Sequence, residues 1–329
     1  MTGPARPTPR ALLTDLYSAA TAAVAPGPGL RASLDRQGIE RSSDPVWILA
    51  LGKAAVPMAD TAVQALKDAG RLLAGGIVIG PSESGSRNSP LPYCQGDHPE
   101  PGAGSLAAAE ALGRIVSRIS QNEEVWVLLS GGTTSLVAAP EEGLEAAELT
   151  AIYSLLLGSG LDITAMNRIR KRFSRWGGGK LARALAPATV RAYVVSDVIG
   201  DDLASIASGP CLPDPSTATD VRGLLEKAGL WTRVPESARV LIRLAEAGRI
   251  PETPKPGDEA FTKVTSQIIA SNRLALQAAA ERATKLGLDP ILVDEPIAGE
   301  AAEVGRKLAA DLRETCAGGP AGASRVRCI

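Results

Sequence analysis

Six short apolar runs recur along the chain, and each is followed by a small or polar loop and then by a segment rich in Ala and Leu at helical spacing. The runs span residues 46–50, 76–79, 124–129, 191–195, 264–270 and 290–293. Apolar strands that alternate with helices are typical of a mostly parallel sheet that is covered on both faces. The sequence therefore predicts an α/β, Rossmann-like fold with helices on both sides of the sheet.

Helical spacing of Ala and Leu predicts the other elements. Helices are predicted over residues 10–24, 55–69, 105–119, 145–157, 178–184, 221–228, 235–247, 273–286 and 300–315. Two proline-rich stretches, 81–101 and 250–258, are interpreted as loops. We expect one α/β domain over residues 1–315, followed by a linker or the start of a second domain over residues 316–329.

Charge and composition exclude several classes of function. The 35 basic and 36 acidic side chains give a net charge of −1, so no overall positive field attracts nucleic acid or anionic lipid. The apolar runs are far shorter than the roughly 20 residues that a membrane-spanning helix needs. The four cysteines form no C-x-x-C pair, which disfavours a zinc knuckle or a redox dithiol. Because the N-terminus lacks an apolar signal segment, a cytoplasmic protein is expected.

The loops that follow the runs are the candidate site, because ligands of an open parallel sheet bind beyond the carboxyl ends of its strands. Lys53 follows the first run at a helix N-terminus, where the helix dipole disfavours a cation, so its placement suggests a function, with a solvated surface lysine as the alternative. The third run leads into Ser130, Gly131, Gly132 and Thr133. Glycines let backbone N–H groups approach a ligand and hydroxyls add donors, so this segment is a candidate phosphate cradle, with a plain tight turn as the alternative.

A basic segment, residues 166–175, concentrates cations in an otherwise neutral chain. On a helix, Asn167, Arg170 and Lys171 share one face by their spacing. Such a face suits an anionic small molecule, and a solvated charged surface is the alternative.

Polar side chains also follow the later runs. Asp197 and Asp202 come after the fourth run and could hold Mg²⁺ together with phosphate oxygens, or cap a helix. Asn272 follows the fifth run at another helix start, where capping is again the alternative. The sole histidine, His98, lies in a proline-rich turn and is interpreted as structural rather than catalytic.

Taken together and in order, these loops resemble those of the glycerate 2-kinase family. The matching segments are ALGKAA (50–55), GDHPEP (96–101), LLSGGTTSL (128–136), MNRIRKRFSRWGGGKLA (166–182), SDVIGDDLASIASGP (196–210) and IIASNRLAL (268–276). The resemblance implies transfer of the ATP γ-phosphoryl group to the 2-hydroxyl of D-glycerate, giving 2-phosphoglycerate, with Mg²⁺ bound to the nucleotide.

The resemblance also implies roles for individual residues. Lys53 matches the family's lysine and would stabilise charge on the phosphoryl group or on glycerate. Asp197 or Asp202 would hold the metal, or accept the hydroxyl proton. The residues that would bind substrate or phosphate are Ser130, Gly131, Gly132, Thr133, Asn167, Arg170, Lys171 and Asn272.

The chain departs from the family in three respects. The family usually has a histidine where Arg172 stands and a lysine where Gly177 stands. Family members also continue into a second, MOFRL-type domain, so part of an active site between two domains is expected to be missing here. The face that such a domain would cover favours self-association, and a homodimer is a possible assembly.

Two alternatives stay open. The chain could be a truncated, inactive remnant or ligand-binding module, since enzymes lose activity steeply when positioning groups are removed. It could also be an NAD(P)H-dependent hydroxypyruvate reductase, which needs a G-x-G-x-x-G turn after a strand. The first loop, LGKAAV (51–56), lacks that turn.

Overall fold

The computed structural model describes residues 8–39, 44–81, 88–293, 297, 299–317 and 325–328. The chain divides into two compact units, one of Pro26–Ile269 and the other of Met1–Ala25 with Ala270–Ile329. The domain limits expected from the sequence, 1–315 and 316–329, stay a prediction.

A six-stranded sheet forms the centre of the Pro26–Ile269 unit. Its strands are β1 (Val46–Leu51), β2 (Leu73–Gly80), β3 (Tyr93–Gln95), β4 (Glu124–Leu129), β5 (Thr189–Val195) and β6 (Val264–Ala270), in the order β3-β2-β1-β4-β5-β6. The pairs β1–β2, β2–β3, β1–β4 and β4–β5 are parallel. The predicted mostly parallel α/β sheet is confirmed, and the strand order reverses between β1 and β4.

Helices account for most of the remaining structure. They are α1 (Pro9–Ala23), α2 (Pro26–Gln37), α3 (Ala55–Asp68), α4 (Ala103–Val116), α5 (Thr133–Leu136), α6 (Ala146–Leu157), α7 (Ile163–Phe173), α8 (Lys180–Leu185), α9 (Ala218–Lys227), α10 (Glu236–Glu246), α11 (Asn272–Lys285) and α12 (Ala301–Ala317). In the described part of the chain, none of them is both long and apolar enough to cross a membrane.

Alternating side chains of β1 explain why the sheet is covered on both faces. Successive residues of a strand point to opposite sides. Leu49 belongs to one apolar cluster with Leu112 of α4, whereas Ile48 belongs to another with Met58 of α3. Because all six residues of β1 are buried, the strand can lie only at the centre of the sheet.

A buried ion pair lies at the amino ends of the strands. Arg71 Nη2 is 2.8 Å from Glu124 Oε2, and Arg191 Nε is 2.8 Å from Glu124 Oε1. The Arg71 and Glu124 side chains are 3% and 7% exposed. These contacts join the start of β4 to β5 and to Arg71, which precedes β2, at the edge that lies opposite the carboxyl ends of the strands.

The second unit contains α1, α11, α12 and a parallel pair of strands, β7 (Asp289–Leu292) and β8 (Arg325–Cys328). The sixth apolar run therefore forms a strand of a separate small sheet. Asp15 of α1 pairs with Arg282 of α11 at 2.8 Å. Residues 318–324 and 329, which belong to the expected linker, lie outside the described residues.

Candidate functional site

A cleft of about 400 Å³ opens at the carboxyl ends of the parallel strands. Its lining includes Lys53 after β1, Gly131 and Gly132 after β4, and Asp197 after β5. β1 and β4 are the strands between which the order reverses, and open α/β sheets bind ligands at such a switch point. The structure therefore brings together several of the residues that the sequence predicted for the site.

Two buried hydroxyls hold the loop after β1 against the loop after β4. The Ser130 hydroxyl accepts a hydrogen bond from the Ala54 N–H at 2.9 Å. The Thr133 hydroxyl lies 3.0 Å from the Leu51 carbonyl and 2.8 Å from the Ser130 carbonyl. The structure therefore does not bring the Ser130 and Thr133 side chains into the cleft lining, because their hydroxyls face the loops. They fix the loop that carries Lys53.

The glycine pair after β4 is closely surrounded by the side chains of Asp197, His98 and Lys53. A Cβ added to Gly131 would lie 1.8 Å from Asp197 Oδ2. Gly132 has a φ of +83°, and a Cβ there would lie 3.0 Å from His98 Cδ2 and 3.2 Å from Lys53 Cε. Only glycine therefore allows the charged groups of Lys53 and Asp197 to approach this backbone.

Helix α7 contributes a cation to the cleft. Asn167 and Arg170 both line it, as their shared helical face predicts. The Arg170 guanidinium lies 5.3 Å from the centre of the Tyr153 ring, and Arg170 forms no ion pair with any residue that the structure describes. Burial lowers the pKa of Arg170, yet a guanidinium stays charged in proteins. A partly buried cation without a carboxylate partner favours binding of an anion.

Other cations of the basic segment stabilise neighbouring loops instead. Lys171 is 5% exposed and packs beside Gly178, so it does not belong to the cleft lining. Burial lowers the pKa of Lys171, and the nearby Asp214 charge opposes that effect. Arg172, where the family usually has a histidine, pairs with Glu252 at 2.6 Å.

The two candidate metal ligands differ in their surroundings. Asp202 accepts hydrogen bonds from the Ser205 hydroxyl at 2.5 Å and from the Ala204 N–H at 3.1 Å, so it caps the turn that follows. Asp197 is exposed to the cleft and has no hydrogen bond or ion pair with another described residue. Within the described ranges, no group of three or more His, Cys, Asp or Glu side chains could hold a metal. A single free carboxylate still fits Mg²⁺ that is shared with phosphate oxygens, because Mg²⁺ in such sites takes one or two carboxylates.

Asn272 belongs to the other unit, where it is the first residue of α11. The hydroxyl of the preceding residue, Ser271, caps this helix by accepting a hydrogen bond from the Leu274 N–H. The predicted contribution of Asn272 to the site stays a prediction.

His98 lines the cleft, although the sequence alone suggested a structural residue. Partial burial lowers the pKa of His98, the Lys53 charge lowers it further, and the Asp197 charge opposes both effects. A single histidine in a turn carries no periodic signal. The motif GDHPEP was the one feature of the sequence that could have drawn attention to it.

The chain is similar to known proteins in sequence and in fold. A family model described as "Domain of unknown function (DUF4147)" matches residues 12–243. The chain is 34% identical to a glycerate 2-kinase of Pyrococcus horikoshii over 82% of this chain and 59% of that protein. It is 31% identical to a D-glycerate 2-kinase of Thermotoga maritima over 92% of this chain and 68% of that protein.

A third relative is called a putative hydroxypyruvate reductase, from Agrobacterium vitis, and is 33% identical over 91% of this chain and 65% of that protein. The chain thus spans less than two thirds of the length of some curated relatives it matches. The crystal structure of a glycerate kinase of Thermotoga maritima superposes with a TM-score of 0.81 at 29% identity, covering 96% of this chain and 72% of that one.

Proposed function

Because the chain belongs to the glycerate 2-kinase family, whose DUF4147 domain spans residues 12–243, we propose that it transfers the ATP γ-phosphoryl group to the 2-hydroxyl of D-glycerate. One observation supports this proposal most strongly: Lys53, Arg170 and Asp197 line one cleft beside a glycine loop at the switch point of the sheet. Phosphoryl transfer depends mainly on positioning and on electrostatic stabilisation, and these groups supply both. ATP, Mg²⁺ and a cytoplasmic location are parts of the proposal, and a homodimer stays a prediction.

The residues of the cleft divide into three groups by charge and position. Lys53 and the backbone of Gly131 and Gly132 lie together, so they would bind the phosphates and stabilise charge on the transferred group. Arg170 would bind the carboxylate of D-glycerate, since its guanidinium offers a planar fork of donors to a carboxylate. Asp197 would hold Mg²⁺, which supplies positive charge to the phosphate oxygens when it is bound.

Replacement of Lys53 tests this proposal with a matched control. Lys53→Met should lower D-glycerate-dependent ADP formation by on the order of 10²- to 10³-fold, because it removes a charge that stabilises the transition state. Lys67→Met removes another exposed lysine, at the last turn of α3, and should leave turnover unchanged. Both variants should keep a Tm within a few degrees of the parent chain, as surface changes do.

Two further arms of the same experiment separate the alternatives. Oxidation of NADPH with hydroxypyruvate, without use of ATP, would identify a reductase and overturn the proposal. Binding of D-glycerate and ATP in calorimetry without any turnover would identify a ligand-binding module. Equal turnover of Lys53→Met and Lys67→Met would show that Lys53 has no part in the reaction.

A further inference from the structure

The turn that carries His98 keeps its shape without help from the imidazole. The Gly96 N–H donates to the Gly80 carbonyl at 3.0 Å. The Asp97 N–H donates to the Ser105 hydroxyl at 2.8 Å, and Asp97 Oδ2 accepts from the Ser105 N–H at 3.1 Å. The imidazole itself has no hydrogen bond to any other residue in the described part of the chain. A purely structural role therefore leaves its position in the cleft unexplained.

The imidazole lies beside the groups that would hold the transferred phosphate. A Cβ added to Gly132 would be 3.3 Å from His98 Nε2 and 3.2 Å from Lys53 Cε, so the two side chains flank the same backbone position. The neighbouring Gly131 lies against the Asp197 carboxylate. A hydroxyl that attacked a phosphoryl group bound beside this backbone would therefore lie near the imidazole.

The surroundings of His98 favour its neutral form. Partial burial and the Lys53 charge lower the pKa of His98, while the Asp197 charge raises it by less. Glu100 and Arg170 also face the cleft. With a pKa below its usual value near 6.5, the imidazole is uncharged at pH 7 and has a lone pair that can accept a proton.

We infer that His98 is a catalytic residue that accepts the proton of the attacking 2-hydroxyl, an inference that rests on the proposed function. As the 2-oxygen forms its bond to the γ-phosphorus, the hydroxyl proton passes to a ring nitrogen of His98. The bond between the γ-phosphorus and the bridging oxygen breaks, and its electron pair leaves with ADP. The imidazolium then returns its proton to water. Asp197 remains available to bind the metal.

Because His98 is the sole histidine, its ionisation can be measured directly. Untagged protein labelled with ¹³C-histidine gives one imidazole signal. The titration midpoint should lie below the usual value near 6.5, and saturating D-glycerate should shift the signal. A midpoint at or above the usual value, or a signal that does not respond to D-glycerate, would contradict a base in the substrate cleft.

Kinetics of two variants separate catalysis from structure. His98→Ala should lower kcat by about 10²- to 10⁴-fold with KM for D-glycerate within threefold, and added imidazole should restore part of kcat. We expect kcat/KM of the parent chain to fall at acid pH as His98 becomes protonated, and this fall should disappear in His98→Ala. Asp97→Asn, on the same turn, should lower Tm, and imidazole should not rescue any loss of rate it causes.

The outcomes of this experiment distinguish the proposed kinase activity from the proposed role of His98 as the base. A parent chain without D-glycerate-dependent turnover would overturn the proposed function and this inference together. An active parent chain with His98→Ala within threefold of its kcat would overturn the inference alone. Loss of activity that follows Tm and that imidazole does not restore would assign His98 a structural role and would also overturn the inference.

Discussion

Gly131→Ala adds one methyl group where the glycine loop meets the Asp197 carboxylate. The added Cβ would lie 1.8 Å from Asp197 Oδ2, whereas ordinary van der Waals contact begins at 3.4 Å, so the carboxylate must retreat by more than 1 Å. Asp197 is exposed, and its side chain can rotate into solvent. Gly131 has no positive φ, so alanine adds no backbone strain there. We therefore expect a folded variant with a Tm within a few degrees of the parent chain.

Activity should fall much further than stability. Displacement of a positioned group by about 1 Å costs on the order of 10²-fold in rate. We expect kcat/KM for D-glycerate to fall by about that factor, which corresponds to about 2.7 kcal/mol of transition-state stabilisation. The assay is ADP formation at several Mg²⁺ concentrations, and excess Mg²⁺ should restore part of the rate because Asp197 is the proposed metal ligand.

Gly223→Ala is the matched control. Gly223 lies in α9, and a Cβ there meets no atom within 4 Å. Alanine should stabilise this helix by about 0.5–1 kcal/mol and leave kcat/KM unchanged. If Gly131→Ala kept the kcat/KM of the parent chain, the position of the Asp197 carboxylate would not matter, and the argument for its role would be wrong.

Three further predictions concern the structure around the site. Thr133→Val removes the buried hydroxyl that lies 2.8 Å from the Ser130 carbonyl, while the Leu51 carbonyl keeps the Ser130 N–H as a donor, so the free energy of unfolding should fall by about 1–3 kcal/mol; an unchanged urea midpoint would contradict this. Arg71→Met removes the buried cation that pairs with Glu124. The free energy of unfolding in urea should therefore fall by about 3 kcal/mol, with kcat of the folded protein unchanged. Burial raises the pKa of Cys211 to about 12, so iodoacetamide at pH 8 should modify Cys211 in urea but not in the native protein, as mass spectrometry can show.

The sequence predicted the main strands because their apolar runs must be buried. Each of the six predicted runs forms a strand. The strand β3 (Tyr93–Gln95) was missed because it is a three-residue strand at the edge of the sheet, within a proline-rich stretch that was interpreted as a loop. Helix α2 (Pro26–Gln37) was also missed, because it begins Pro-Gly-Pro-Gly. Burial of Leu30 and Leu34 in an apolar cluster outweighs that poor propensity.

The site was predictable where it depends on position along the chain, and less so where it depends on the direction of a side chain. Lys53 follows β1 and Asp197 follows β5 at the same edge of the sheet, so the strand order explains why both side chains line the cleft. Spacing could not show that the Thr133 hydroxyl turns inward, and it could not decide between capping and metal binding for Asp202, because several local hydrogen bonds compete for each group. The approach of His98 to the glycine loop depends on long-range packing that no local pattern encodes.

The product that the parent chain forms decides whether it is a glycerate 2-kinase. The chain is incubated with ATP, Mg²⁺ and D-glycerate, and ³¹P NMR identifies the phosphorylated product. We expect 2-phosphoglycerate, with ADP in equal amount and formation that stops when D-glycerate is omitted. Formation of 3-phosphoglycerate, or ATP hydrolysis without any phosphoglycerate, would contradict this expectation.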